Sequence, residues 1–292
     1  MKTQKYRVAI LGSGNIGTDL LIKIQRSNNL KCVAFIGRSR GSRGMSKALE
    51  LGVTLSDKSI DYIIDNANKI DLVFDATSAK DHKINAPKFK NLGIKCIDLT
   101  PAKIGPMCIP SVNSNKCLED VNINMISCGG QASIPMATAI SNVHSNIEYI
   151  EVVSSIASKS AGPATRLNLD EYIKTTEEGV KYFSGAKKTK AILVLNPATP
   201  SVDMVTTILA KVKNPNMEAL KKEVDILVKR VQTYVPGYEL ILGPLFENGR
   251  VVIMLKVRGL GDYLPEYAGN LDIINCAAIA MAEEYAKEVV YT

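Results

Sequence analysis

The 292-residue sequence has no tryptophan, only two histidines and few aromatic side chains. Aromatic residues make up 5% of the chain, so stacking surfaces for nucleic-acid bases would be poorly supplied. Two histidines, His82 and His144, are too few for a histidine-rich metal site. We therefore expect neither a nucleic-acid partner nor a bound metal.

Long apolar runs and closely paired cysteines are also absent. No run reaches membrane-spanning length, and residues 1–6 are polar, without the charged-then-apolar pattern of a leader. The six cysteines show no metal-type pair spacing. We expect no membrane contact, reduced thiols and a cytoplasmic location. The net charge of +7 favours anionic small molecules as ligands.

A glycine-rich segment follows the first apolar run. Residues 7–11 are typical of a strand buried on both faces, and residues 30–36 form a second such run after a helical apolar stripe. Between the first run and the stripe lies Gly12-Ser13-Gly14-Asn15-Ile16-Gly17. In this context the glycines permit a tight turn, close approach of a pyrophosphate, and packing of helix on strand. These six residues are predicted to bind a dinucleotide, although a glycine turn without a ligand is the alternative.

The second strand ends in a basic loop, Gly37-Arg38-Ser39-Arg40-Gly41-Ser42-Arg43. An acidic residue here would bind the ribose 2′-hydroxyl of NAD, whereas arginine and serine suit a 2′-phosphate. We predict that NADP is accepted at least as an alternative to NAD, with Arg38 as a contact. A solvated basic loop is the alternative.

Alternating strands and helices continue to about residue 145. Thr77, Ser78 and Thr100 follow strands and would face a ligand crevice, although capping or turn formation is the more usual role of such residues. Among them, Thr77 is the predicted cofactor contact. His82 is expected to be exposed at the head of a helix, and residues 113–115 to form a loop.

The segment Ser127-Cys128-Gly129-Gly130-Gln131-Ala132-Ser133-Ile134-Pro135 joins a short strand, residues 121–126, to a helix. Apolar residues recur at helical spacing from Ile134, with Pro135 suited to a first turn. Cys128 should lie near the positive end of this helix, where the pKa of a thiol falls. The residues favour either a nucleophile or a small buried structural cysteine at position 128.

The second half has longer, β-rich runs with two intervening helices. It predicts an α+β domain with antiparallel strands, distinct from the α/β Rossmann-type first domain. We expect a dinucleotide-binding domain over residues 1–130, a catalytic and dimerisation domain over 131–270, and a C-terminal helix, 271–292, that completes the first domain. Two loops, residues 158–166 and 259–272, are candidate functional segments.

Five segments together resemble the acylating acetaldehyde dehydrogenases: Gly12 to Gly17, Ser127 to Pro135, Ser158-Lys-Ser-Ala-Gly-Pro-Ala-Thr-Arg166, Leu195-Asn-Pro-Ala198 and Pro265-Glu-Tyr-Ala-Gly-Asn-Leu-Asp-Ile273. The resemblance implies a glyceraldehyde-3-phosphate-dehydrogenase-like fold. It also implies oxidation of a short-chain aldehyde (acetaldehyde or propanal) with NAD and CoA, giving acyl-CoA through a thioester on Cys128.

The resemblance further implies cofactor contacts from Ser13 to Ile16, from Ser160, Ala161, Gly162 and Pro163, and from Asn270. The implied assembly is a homodimer or a heterotetramer with a 4-hydroxy-2-oxovalerate aldolase. The chain departs from the family where Gly37-Arg38 replaces a common acidic residue. It departs again where Val205-Thr206-Thr207 replaces a common Arg-Asp-Thr, whose carboxylate could help proton transfer.

Two other functions remain open. A semialdehyde dehydrogenase of the same design would use phosphate in place of CoA and pair its cysteine with a histidine base. Here the downstream histidine is His144, sixteen positions after Cys128 and expected to point away. A non-catalytic cofactor-binding regulatory subunit is the second alternative.

Overall fold

The computed structural model describes residues 5–162, 166 and 169–291, with side chains as far as residue 288. The chain divides into two compact units. Unit 1 comprises Met1–Met125 and Asn275–Thr292, and unit 2 comprises Ile126–Ile274. No helix in the described part of the chain is long and apolar enough to cross a membrane.

Unit 1 is built on a six-stranded sheet in which every pairing is parallel. Its strands are β1 (Tyr6–Leu11), β2 (Leu30–Ile36), β3 (Leu55–Ser56), β4 (Leu72–Asp75), β5 (Lys95–Asp98) and β6 (Asn122–Asn124). The order is β3-β2-β1-β4-β5-β6. That order is the one of a Rossmann-type dinucleotide-binding sheet, as the apolar runs predicted.

The helices of unit 1 connect these strands and cover the sheet. They are α1 (Asn15–Arg26), α2 (Arg43–Glu50), α3 (Ile60–Asp65), α4 (Ala79–Asn91) and α5 (Pro110–Cys117). The C-terminal helix α9 (Gly269–Tyr291) also contributes, because Asn275 donates to Asp19 of α1 at 2.8 Å. Tyr285 of α9 donates to the Cys117 carbonyl oxygen at 2.9 Å.

Unit 2 contains a five-stranded mixed sheet. Its strands are β7 (Ile147–Ala157), β8 (Lys188–Asn196), β9 (Met204–Val212), β10 (Tyr238–Glu247) and β11 (Arg250–Val257), in the order β10-β11-β9-β7-β8. Three pairings are antiparallel as predicted, but β7 and β8 are parallel. The prediction was wrong for this pair because the helix α7 (Leu169–Ser184) forms a crossover between them.

Helix α6 (Cys128–Val143) is the central helix of unit 2. It packs against α7, against α8 (Met217–Gln232) and against the sheet. Its residues from Gly129 to Ile140 are all buried. The edge strands β8 and β10 instead carry exposed apolar side chains: Ile192, Val194, Ile241, Leu245 and Phe246.

Two local predictions were wrong. Residues 113–115 lie within α5, with a kink at Asn113, because Pro110 starts a helix there and the Asn113 side chain bonds to residues 107 and 109. Pro135 lies inside α6, since that helix begins at Cys128. The first turn of α6 contains glycines and no apolar stripe. The apolar spacing therefore begins only at Ile134, after the true start of the helix.

Candidate active site

Cys128 is the first residue of α6. The hydroxyl of Ser127 caps the helix by accepting from the Gly130 N–H at 2.9 Å. The Gln131 N–H donates to the Ser127 carbonyl oxygen. The two remaining N–H groups of the first turn, those of Cys128 and Gly129, act on the Cys128 sulfur and favour a lower pKa of its thiol. The sulfur therefore lies where the helix terminus offers its donors.

The turn before the sulfur is strained. Ile126 has a φ of +66°, a left-handed conformation that is rare for a β-branched residue. A Cβ on Gly130 would lie 2.9 Å from the Ile126 side chain, so a glycine is needed opposite this turn. Such strain is concentrated at functional sites, where the surrounding fold holds it in place.

The pKa of the Cys128 thiol contradicts the prediction of a lowered value. Burial raises this pKa to about 11, and the hydrogen bonds from Tyr172 and the two N–H groups only partly offset that effect. Removal of water around the sulfur thus outweighs the helix terminus. The cysteine is half-buried, and the other five cysteines are buried.

Tyr172 of α7 approaches the same sulfur. Its hydroxyl lies 3.6 Å from the Cys128 Sγ atom. A Cβ on Gly129 would lie 2.2 Å from this hydroxyl, so a side chain at position 129 would displace it. The first glycine after the cysteine therefore makes room for Tyr172.

Two further hydroxyls extend this contact. Tyr172 hydrogen-bonds to Ser154 of β7, and Ser154 lies 3.0 Å from the Thr206 hydroxyl of β9. Ser154 and Thr206 are partners in the antiparallel register of the sheet, and both are buried. A row of neutral hydroxyl groups therefore ends at the Cys128 sulfur.

His144 does not take part in this site. It follows the last residue of α6, about 24 Å along the helix from Cys128 at 1.5 Å per residue. Its Nδ1 atom donates to the Ile140 carbonyl oxygen, and its Nε2 atom accepts from the Asn216 N–H, each at 3.0 Å. Both ring nitrogens are thus occupied, in agreement with the prediction that His144 points away.

In unit 1 the glycine loop has the shape that a pyrophosphate requires. Gly12 has a φ of +123°, and a Cβ there would lie 2.5 Å from the Ala76 carbonyl oxygen. A Cβ on Gly17 would lie 1.9 Å from the Gly12 carbonyl oxygen, whereas one on Gly14 would meet open space. Gly14 precedes α1 without a side-chain cap, so first-turn N–H groups stay available to an anion. The loop therefore fits a dinucleotide.

The basic loop after β2 lies beside this turn. A Cβ on Gly37 would lie 2.6 Å from the Ser13 hydroxyl. Arg38 is exposed, while Arg40 pairs with Asp57 at 3.3 Å. Of these two arginines, Arg38 is the more available for a phosphate.

The polar residues at the carboxyl ends of β4 and β5 form a network with His82. Thr77 donates to one oxygen of Asp75, and the other oxygen lies 2.8 Å from His82 Nδ1. His82 Nε2 lies 3.4 Å from Asp98 and 3.0 Å from the amide of Asn122. His82 is fully buried, so the prediction of an exposed histidine was wrong. The two buried carboxylates at neighbouring strand ends hold it inside.

Thr77, Ser78 and Thr100 also have local roles, as the usual behaviour of such residues suggested. Ser78 caps α4 by accepting from the Asp81 N–H. The Thr100 N–H donates to Asp98 at 2.7 Å.

Although burial lowers the pKa of His82, its hydrogen bond to Asp75 and the nearby Asp98 raise it overall. Burial raises the pKa of Asp98 to about 6, against the opposing effect of His82.

The segment around residue 160 is described in part. Ser160 is buried and donates to the Ala157 carbonyl oxygen at 2.8 Å. Arg166 folds back to donate to the carbonyl oxygens of Ala161 and Ser158. A Cβ on Gly162 would meet open space, whereas Pro163 lies outside the described residues.

Asn270 is the last predicted cofactor contact. It is buried in the first turn of α9, and its Oδ1 atom has no hydrogen-bond partner among the described residues. A buried amide oxygen without a partner is costly, so it suits a site that a ligand completes.

Comparison with known proteins identifies the family. Residues 128–265 match the family model described as prokaryotic acetaldehyde dehydrogenase, dimerisation. Residues 7–120 match the model described as semialdehyde dehydrogenase, NAD binding domain. The acetaldehyde dehydrogenase of Spirochaeta aurantia is 66% identical, over 98% of this chain and 97% of that protein. That of Pectobacterium atrosepticum is 57% identical, over 96% and 95%.

This chain belongs to the acetaldehyde dehydrogenases. It is an NAD(P)-dependent oxidoreductase that acts on an aldehyde. A crystal structure of aspartate semialdehyde dehydrogenase II from Vibrio cholerae has a TM-score of 0.65 with 14% identity, and covers 98% of this chain and 99% of that one. At this identity the likeness confirms the fold only.

Sequence patterns located the cysteine turn and the glycine loop of this acetaldehyde dehydrogenase but missed Tyr172 and Ser154. They marked Thr206 only as part of a segment that departs from the family, not as a residue near the cysteine. Ser154 and Thr206 occupy inward positions between apolar neighbours on β7 and β9. A polar residue at a buried position of a strand is a signal that could have marked both. Tyr172 carries no such signal, because its contact with the cysteine depends on how α7 packs on α6.

Proposed function

We propose that this acetaldehyde dehydrogenase converts acetaldehyde, or propanal, to the corresponding acyl-CoA through a thioester on Cys128. The observation that carries the proposal is the position of the sulfur at the first residue of α6, within reach of the Cys128 and Gly129 N–H groups. A thiol at the start of a helix can act as a nucleophile, and the N–H groups there can stabilise the oxyanion that its attack creates.

The first step is addition to the aldehyde. The ionised Cys128 sulfur attacks the carbonyl carbon, a carbon–sulfur bond forms, and the carbonyl π pair moves to oxygen. The N–H groups of Cys128 and Gly129 stabilise the resulting oxyanion, since the other two donors of this turn are already satisfied by Ser127. Return of that electron pair to carbon expels the hydride and leaves a thioester on Cys128.

The dinucleotide supplies the hydride acceptor when it is bound. The loop from Gly12 to Gly17 holds its pyrophosphate, and Arg38 contacts a 2′-phosphate when the cofactor is NADP. We propose further cofactor contacts from residues 160–163 and from Asn270, whose Oδ1 atom has no hydrogen-bond partner among the described residues. We propose that both NAD and NADP are used.

CoA is the proposed acyl acceptor. Its thiolate attacks the thioester carbon, the Cys128 sulfur leaves with its electron pair, and acyl-CoA is released. The net charge of +7 is compatible with this phosphate-bearing substrate. We place the enzyme in the cytoplasm, where CoA is available.

We also propose a homodimer, which can join with a 4-hydroxy-2-oxovalerate aldolase that supplies the aldehyde. The exposed apolar side chains of the edge strands β8 and β10 support assembly through unit 2. A copurification test with that aldolase, and the mass of the free enzyme in solution, would check both parts.

The function is tested by following NADH formation with acetaldehyde plus CoA, plus phosphate, or with neither. We expect sustained turnover with CoA alone, and its loss in Cys128→Ser while NAD binding by calorimetry is retained. Cys276→Ser, at a buried cysteine of unit 1, is the matched control. Turnover with phosphate in place of CoA, or near-normal turnover in Cys128→Ser, would contradict the proposal.

A further inference from the structure

The Cys128 sulfur has one side-chain hydrogen-bond partner among the described residues, the Tyr172 hydroxyl at 3.6 Å. The other groups that favour its ionised form are the N–H groups of Cys128 and Gly129. Within the described part of the chain, no charged side chain contributes to the ionisation of this thiol. Among the described residues, the side-chain group that contacts the sulfur is therefore a neutral hydroxyl.

We propose that Tyr172 is a catalytic residue, whose hydroxyl donates a hydrogen bond to the Cys128 thiolate both when it attacks and when it leaves. The proposal rests on the thioester function of Cys128 and deepens it. It assigns to a tyrosine the part that a charged partner of the cysteine would otherwise perform.

The backbone of α6 is shaped around this hydroxyl. A Cβ on Gly129 would lie 2.2 Å from the Tyr172 oxygen and 3.6 Å from the Ser154 oxygen. Gly129 therefore lies directly beside the tyrosine hydroxyl and next to the residue that carries the sulfur.

The main chain of Tyr172 is held independently. The Thr176 hydroxyl donates to the Tyr172 carbonyl oxygen at 2.7 Å. Because this uses its only hydrogen, Thr176 must accept from the Ser127 hydroxyl, 2.7 Å away. The cap of α6 is therefore joined to the turn of α7 that carries Tyr172.

The hydroxyl of Tyr172 contacts Ser154, which in turn contacts Thr206. Ser154 and Thr206 face each other across β7 and β9, among apolar neighbours, with their oxygens 3.0 Å apart. Ser154 gives Tyr172 a second hydrogen-bond partner, so the phenol keeps its orientation whether the sulfur is protonated or ionised.

Ionisation breaks the S–H bond, the proton passes to water, and the electron pair stays on sulfur. Burial raises the pKa of Tyr172 well above its ordinary value, so the phenol keeps its proton and can only stabilise the thiolate as a donor. The pair then forms the carbon–sulfur bond. When CoA displaces the acyl group, the pair returns to sulfur and Tyr172 donates to it again.

The test is the pH dependence of Cys128 alkylation by iodoacetamide, measured by mass spectrometry of the peptide that contains this cysteine. The variants are Tyr172→Phe, which keeps the ring, and Tyr182→Phe, an exposed tyrosine on the same helix. Because a hydrogen bond to a charged group is lost, Tyr172→Phe should lower the alkylation rate at pH 9 by about tenfold. Its pH profile should move to higher pH, while Tyr182→Phe matches the unaltered enzyme.

A second measurement follows the pre-steady-state formation of NADH, which should slow by a similar factor in Tyr172→Phe. Superimposable alkylation profiles for Tyr172→Phe and the unaltered enzyme would overturn the proposal, provided that their melting temperatures agree. Alkylation needs neither aldehyde nor CoA. Activity that persists in Cys128→Ser would instead refute the thioester function, so the two failures are distinguishable.

Discussion

The Ser127 hydroxyl donates to the Thr176 hydroxyl at 2.7 Å while it accepts from the Gly130 N–H at 2.9 Å. One side chain thus caps α6 and joins it to α7. The start of the helix that carries Cys128 and the helix that carries Tyr172 are coupled through this bond. Loss of Ser127 should affect both stability and the geometry at the sulfur.

Ser127→Ala is expected to cost about 1 kcal/mol of unfolding free energy, the usual loss for a helix N-cap, and to lower turnover as well. The control is Asn216→Ala, which removes the cap of α8, where Asn216 accepts from the Ala219 N–H at 3.1 Å. That variant should lose similar stability in urea and keep full turnover. Equal turnover in the two variants would show that Ser127 acts only as a cap.

Gly14 and Gly17 should respond differently to alanine. Gly14 has an extended conformation that alanine adopts, and a Cβ there meets no atom within 4 Å. Gly14→Ala should therefore change the unfolding free energy by less than about 1 kcal/mol. It should weaken NAD binding by about tenfold or more, because the methyl group would occupy the space that we propose for the pyrophosphate.

Gly17→Ala should instead lower the melting temperature clearly, since its Cβ would lie 1.9 Å from the Gly12 carbonyl oxygen. Calorimetry with NAD and thermal melting separate the two effects. Unchanged NAD affinity in Gly14→Ala would place the cofactor elsewhere.

Arg38 should govern the use of NADP. Removal of its charge in Arg38→Ala is expected to raise KM for NADP by about tenfold, with little change for NAD. Arg40→Ala is the matched control, because Arg40 is engaged with Asp57. The comparison is of kcat/KM for both cofactors. A large preference for NAD that Arg38→Ala leaves unaffected would refute the assignment.

Asp98 should make stability fall as the pH rises. Its pKa is raised by burial from an ordinary value of 3.8 to about 6, so the folded protein binds a proton that the unfolded chain has released. The contribution of Asp98 to the unfolding free energy is fully present below about pH 4 and is lost as the pH rises from about 4 to 6. The unfolding free energy of the unaltered enzyme relative to Asp98→Asn should decrease across that interval. Parallel pH curves for the two proteins would contradict the assignment.

Sequence patterns predicted the structural features that a single segment determines by itself. The run before Gly12, the glycine spacing and the buried strand at residues 30–36 predicted the start of unit 1, and Ser127 with its glycines marked the cysteine turn. These features depend on short-range constraints, namely backbone conformation, burial and helix capping.

Features that depend on tertiary packing were not predicted. The pKa of Cys128 depends on how much protein surrounds the sulfur, and His82 is buried because two strand ends place Asp75 and Asp98 around it. The parallel pairing of β7 with β8 depends on the path of α7. The contact between Tyr172 and the Cys128 sulfur joins two different helices, and the two residues are 44 positions apart in the sequence.

The central claim is that the aldehyde carbon becomes bound to the Cys128 sulfur. It is tested most directly by mixing the enzyme with acetaldehyde and NAD, without CoA, and analysing the quenched protein by mass spectrometry. We predict an acetyl group on the Cys128 peptide, formed together with one equivalent of NADH per active site and lost on addition of CoA as acetyl-CoA appears. NADH formation with an unmodified Cys128 peptide would contradict the account.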